Sequence, residues 1–232
     1  MSRSSGGGLK YISPDGWSPR LIRRSYCALT LSAITVAICI VQSLIGWKSV
    51  LNAIGFVPSA AWSPSTWFSI LPGQSIPVVL TWLAYVFPHM GWWHMAGNTA
   101  MLLMVGGKLE HRIGTRNFAV VALLSIVSGV FALSIIHPLG SFPIGGGSLL
   151  LCNIFGVRLA MYYQTGWQRH PRATIALELA AIVLVVLWLL CRTTPLAPSA
   201  FLALMWHVIP LMIGWVGYRV VHAVQARKGN AE

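Results

Sequence analysis

Long apolar runs, set off by basic residues, constrain this chain more than any other feature. A run of about 20 apolar residues is enough to cross the bilayer hydrocarbon as a helix. Inside lipid the backbone must satisfy its own hydrogen bonds, which restricts such runs to helices or closed barrels. Six runs are read, at roughly 26–46, 90–108, 117–136, 148–163, 172–191 and 200–222. Only 9% of the residues are charged, against about 25% in an ordinary soluble domain. The expected fold class is an all-α polytopic membrane protein, a bundle of six transmembrane helices. A cytoplasmic tail is expected over 1–24, the membrane domain over 25–223 and a second cytoplasmic tail over 224–232. The segment 47–88 holds Trp47, Trp62 and Trp67 among several prolines. Tryptophan favours the membrane–water boundary, so this segment reads as a structured interfacial loop between spans 1 and 2.

The net charge of +12 suggests nucleic acid until its distribution is read. Basic residues cluster before span 1 (Arg3, Lys10, Arg20, Arg23, Arg24), between spans 2 and 3 (Lys108, Arg112, Arg116), around the 4–5 junction (Arg158, Arg169, Arg172) and at the end of span 6 (Arg219, Arg227, Lys228). Only Lys48 and Arg192 fall in the other connections. Positive loops stay cytoplasmic, so both termini are expected inside and the charge is explained by topology. The expected partner is the lipid bilayer, with a multi-pass location in the cell membrane, and no nucleic acid is indicated. Span 1 reads as an uncleaved helix, because its apolar run is long and no A-x-A site follows. Cys27, Cys39, Cys152 and Cys191 show no C-x-x-C spacing, so neither a metal nor a disulfide framework is indicated.

Polar residues inside the spans are costly and call for a reason. His94 and Asn98, four apart, share a helix face at the start of span 2. Ser148 opens span 4 behind Gly145-Gly146-Gly147, and His207 lies in span 6. Spans 2, 4 and 6 all begin on the outer side, which places all four side chains in the outer half of the membrane. Span 4 is short, so the glycine loop is expected to dip inward; non-helical backbone survives there only inside protein or beside water. A serine needs a base to become a nucleophile, and His207 is the best-placed candidate. Asn98, His94 and the Ser148 amide are candidate oxyanion donors, each worth about 3–4 kcal/mol. No carboxylate lies near this set, which favours a Ser–His dyad over a triad. Taken singly, Ser148 also reads as a helix cap, and His94 with Asn98 also read as interhelical hydrogen-bonding residues. Glu110 and Arg112 read as a pair holding the turn after span 2, and Glu178 as a partner for Arg158.

The ordered set resembles the rhomboid intramembrane serine proteases. The resemblance runs over roughly 89–217 and is carried by His89-x4-His94-x3-Asn98, Gly106-Gly107-x-x-Glu110-x-Arg112-x-Gly114, Gly146-x-Ser148 with Gly156, and His207 with Gly214. It implies a six-helix rhomboid-like bundle that cleaves transmembrane protein substrates without a cofactor. It further implies Ser148 as nucleophile, His207 as general base and acid, and His94 with Asn98 at the oxyanion hole. Leu149, Trp206 and Pro210 stand where the family pattern has small residues. Bulk at these places works against close approach of spans 4 and 6. Leu149 and Pro210 therefore keep a second reading open, a non-proteolytic rhomboid-like protein that binds transmembrane helices. A transporter reading is thinner, since the H-E-x-x-H motif is absent.

Overall fold

The computed structural model describes residues 25–166, 176, 180 and 198–229, with side chains placed for 25–166 and 205–223 of the longer stretches. The chain forms α1 (Tyr26–Ile45), α2 (Trp47–Ile54), α3 (Val78–Ala84), α4 (Trp92–Met101), α5 (Gly107–Ile113), α6 (Thr115–Ile136), α7 (Ser148–Thr165) and α8 (Pro198–Gly229). A π-helical turn, Leu102–Gly106, joins α4 to α5. Among the described residues the extended structure is confined to one isolated bridge, Phe56 with Ile144. The fold is all-α. Of the expected fifth span, 176 and 180 are described, both helical, while Arg169, Arg172 and Glu178 lie outside the described residues, as does the tail 1–24.

Among the described residues, α1 and α6 are long and apolar enough to cross a bilayer. The helix α7 does not reach the same mean hydropathy, because Asn153, Arg158 and Gln164 interrupt its apolar run. Two helices outrun their sequence limits. The second run, expected to end near 108, continues to Ile113, where Gly114 turns the chain at φ +83°. The last continues through Gly229, so 224–229, read as tail, are helical in backbone. Ala, Gln, Arg and Lys at those positions are good helix formers, and nothing before Gly229 breaks the run.

The segment 47–88 carries two short α-helices and two 3-10 turns, Pro58–Trp62 and Pro64–Thr66. Its tryptophans tie it together. The Trp67 indole donates to the Ala61 carbonyl and packs edge-on against Trp82 at 5.2 Å. The Trp62 indole donates to the Ser134 carbonyl at the end of α6. The paired amides and carbonyls of Phe56 and Ile144 then fasten this segment to the loop that leads into Ser148.

Glu110 lies in α5 and is fully buried, and its two carboxylate oxygens accept the amides of Cys27 and Ala28, each at 2.9 Å. These are donors that the first turn of α1 leaves without an intrahelical acceptor. A carboxylate also suits the positive end of the helix dipole. Glu110 therefore caps α1, a correction to its reading as the partner of Arg112. The Ser25 hydroxyl donates to the Gly107 carbonyl alongside it.

Helices α6, α7 and α8 pack through small residues. A methyl on Gly156 would overlap the Leu211 carbonyl, and one on Gly214 would overlap the Asn153 carbonyl. At these two points the backbones of α7 and α8 touch. The expected separation of spans 4 and 6 by bulky residues is thus not what the fold shows. Leu149 fits because it turns away from α8 onto Gly129 of α6, where a Cβ would lie 3.1 Å from its own. Pro210 removes one helix hydrogen bond, yet α8 runs through it. Arg158, buried in α7, donates to the Tyr162 hydroxyl one turn on and lies over its ring at 5.0 Å.

Candidate active site

Ser148 is the first residue of α7, and its cap position is taken by Gly147. No side chain caps this helix. The hydroxyl is therefore not used on the helix end, which removes the simplest alternative role. It meets the ring of His207 instead, with Oγ 3.0 Å from Nε2. That is a normal hydrogen-bond length. Both residues are half-buried. With Nε2 accepting from Oγ, the imidazole stands where it can take the proton as the hydroxyl attacks. The amides of the first α7 turn lack intrahelical acceptors, and a helix start of this kind favours a negative oxygen beside Ser148.

The glycine loop that delivers Ser148 is built by close approaches. Gly146 has φ +132°, a region that side chains rarely adopt, and its amide donates to the Tyr85 carbonyl at 2.8 Å. A Cβ here would stand 3.1 Å from the His94 ring. One added to Gly147 would stand 4.0 Å from the Asn98 amide nitrogen and 3.9 Å from His89 Nε2. His94 and Asn98 are thus brought to the backbone immediately before Ser148. The four residues read from sequence, Ser148, His207, His94 and Asn98, meet at this one loop.

His89 organises the group. Its Nδ1 lies 2.7 Å from the Phe87 carbonyl, which only accepts, so Nδ1 carries the proton. Nε2 is then an acceptor. It receives the Asn98 side-chain amide at 2.9 Å and, at 3.4 Å, the Gly147 amide. His94 packs edge-on against the same ring, with centroids 5.0 Å apart. His89 is 1% exposed, and burial pulls its pKa below the usual 6.5, which favours this neutral form. One N–H of Asn98 is committed to His89, and the other makes no hydrogen bond to a described residue.

The sequence reading missed three supports. Gln42, fully buried in α1, accepts from the His89 amide at 3.0 Å and donates to the His89 carbonyl at 3.1 Å. A lone glutamine in an apolar run was the available signal. Tyr85 donates its hydroxyl to the Ile126 carbonyl, holding the connection before His89 against α6. Asn153 of α7 accepts from Ser125 at 2.8 Å and donates to Ser128 at 3.1 Å, both in α6. The i, i+3 spacing of those serines on an apolar helix was the signal there. His137, given no role from sequence, stacks at 5.6 Å on Trp206, the residue before His207.

No curated protein sequence matches the chain. The family model for the Rhomboid domain matches residues 77–223, well over half of it, a stretch that takes in His89, His94, Asn98, Ser148 and His207. With the ordered motifs and an all-α membrane fold, that match makes the chain a member of the rhomboid family.

Proposed function

We propose that this protein is an intramembrane serine protease that hydrolyses peptide bonds in or near the transmembrane segments of other membrane proteins. The observation that carries the reading is the 3.0 Å approach of Ser148 Oγ to His207 Nε2, made by a serine not used as a helix cap. The family, mostly such proteases, supports it. In this reading His207 takes the Ser148 proton as Oγ attacks the scissile carbonyl. The negative oxygen then draws on the Ser148 amide, the second Asn98 N–H and the His94 ring. His207 returns the proton to the departing amine, and a water repeats the sequence to release the acyl group. No cofactor enters. Six spans, both termini cytoplasmic and a pocket opening toward the outer leaflet complete the reading. Substrates are transmembrane proteins, whose helix must unwind locally to present a peptide bond.

The test is cleavage of a single-span test substrate by purified protein in detergent. Ser148→Ala and His207→Ala should each abolish it while the thermal midpoint is retained. A fluorophosphonate probe should label the unaltered chain and not Ser148→Ala. Cleavage at the normal rate by both variants, or labelling independent of Ser148, would end the proposal.

A further inference from the structure

The far end of α7 and α8 holds a second cluster, well away from the dyad. Gln164 lies sixteen residues beyond Ser148, about 24 Å along the helix, near the opposite face of a hydrocarbon layer of about 30 Å. Here Gln164, Trp215, Val216, Arg219, Val220, His222 and Ala223 line an open groove of about 370 Å³. The Arg219 guanidinium lies 5.0 Å from the Tyr163 ring centroid and 5.4 Å from that of Trp215. Both rings lie within cation–π range of the guanidinium, and its N–H edge makes no hydrogen bond or ion pair to a described residue. That edge matches the paired oxygens of a phosphate.

His222 stands one turn along the same face. Its Nδ1 meets the Gln164 side-chain amide, and its ring packs on Tyr218 at 6.2 Å. With Nδ1 accepting, Nε2 carries a proton and is a second donor. The chain has only four acidic residues, and among the described residues Glu110 is committed to the start of α1. No carboxylate among the described residues faces Arg219. Val216 and Val220, both exposed, border the same groove and offer an apolar wall beside the cation.

We propose that this groove binds the phosphate of an anionic phospholipid headgroup, with Arg219 as the principal ligand, His222 as the second, and an acyl chain along Val216 and Val220. Basic pockets between helices at the cytoplasmic side are suited to such lipids. The cluster is independent of the dyad, so its failure would leave the proposed proteolysis untouched.

The experiment uses the full chain in nanodiscs of equal phosphatidylglycerol and phosphatidylcholine, with retained lipid counted by native mass spectrometry. The unaltered chain should retain phosphatidylglycerol over phosphatidylcholine by about tenfold, the scale of one charge-assisted contact pair. Arg219→Gln should bring the ratio close to one. Arg219→Lys, which keeps charge and loses the fork, should fall between. His222→Ala, a change at the groove rim, should lower the ratio partway and keeps the test open if Arg219→Gln does not fold. Excess inorganic phosphate should leave the retained lipid in place, because the acyl contact adds to the headgroup. No preference in the unaltered chain, or a preference unchanged in both Arg219→Gln and His222→Ala, overturns the site. Displacement by inorganic phosphate overturns its assignment to a lipid.

Discussion

Gly214→Ala tests whether backbone contact between α7 and α8 sets the dyad distance. Gly214 lies seven residues after His207, about 10 Å along α8. A Cβ there would overlap the Asn153 carbonyl oxygen and stand 2.9 Å from its carbon and 3.1 Å from Oδ1. Carbon atoms rest at about 3.5–4.0 Å, so the helices must part by about 1 Å. Asn153 resists the shift, because Ser125 and Ser128 hold its side chain to α6. The displacement therefore falls largely on α8, which carries His207. Adding it to the 3.0 Å dyad contact exceeds hydrogen-bond range. A misplacement of about 1 Å at a reacting group costs roughly 10²-fold in rate. Substrate cleavage by Gly214→Ala should fall by about that factor, and fluorophosphonate labelling of Ser148 should fall with it. Gly217→Ala is the matched control: a Cβ there meets nothing within 4 Å, and alanine favours a helix. It should cleave normally. A Gly214→Ala protein that cleaves at the rate of Gly217→Ala would refute the argument that this contact fixes the site.

Gln42→Leu removes both hydrogen bonds to the His89 backbone. Leaving those buried groups unpaired costs about 1–3 kcal/mol each, so the thermal midpoint should drop and cleavage slow by about tenfold; an unchanged labelling rate at Ser148 would show that Gln42 does not support the site. His89 supplies a pH dependence. Its pKa in the folded protein lies below the ordinary 6.5 because of burial, so between those two values the unfolded chain binds more protons than the folded one. Stability is then full above about pH 6.5 and is lost as pH falls below it. Thermal melts across that window should show the decline in the unaltered chain and a flatter profile in His89→Gln; equal slopes would contradict the assignment.

Much of this arrangement was legible from residue type and spacing. His94 and Asn98 sit four apart, Ser148 follows a glycine run, and His207 interrupts an apolar helix; each is expensive in lipid, and the structure gathers all four at one loop. What sequence did not convey is where each polar group finds its partner. Glu110 has Arg112 two residues away, yet its carboxylate serves the start of α1, far back in the chain. Leu149 and Pro210 looked like wedges between spans 4 and 6, because side-chain volume is readable and direction is not. One points at Gly129, and the other lies in a helix whose neighbour supplies Gly156. The π-helical turn at Leu102–Gly106 is a further example. It resets the helical phase between the face that carries Asn98 and the face that carries Glu110, and no composition rule marks it.

The carboxylate at the start of α1 has a consequence for biosynthesis. Ala28 leaves the ribosome 82 residues ahead of the group that will satisfy its amide. At about 5–20 residues per second, the opening turn of the first helix waits roughly 4–16 s before its permanent acceptor exists. Water or lipid headgroups must occupy those amides meanwhile. Docking of the first helix against the segment that carries Glu110 therefore waits on the emergence of that one carboxylate.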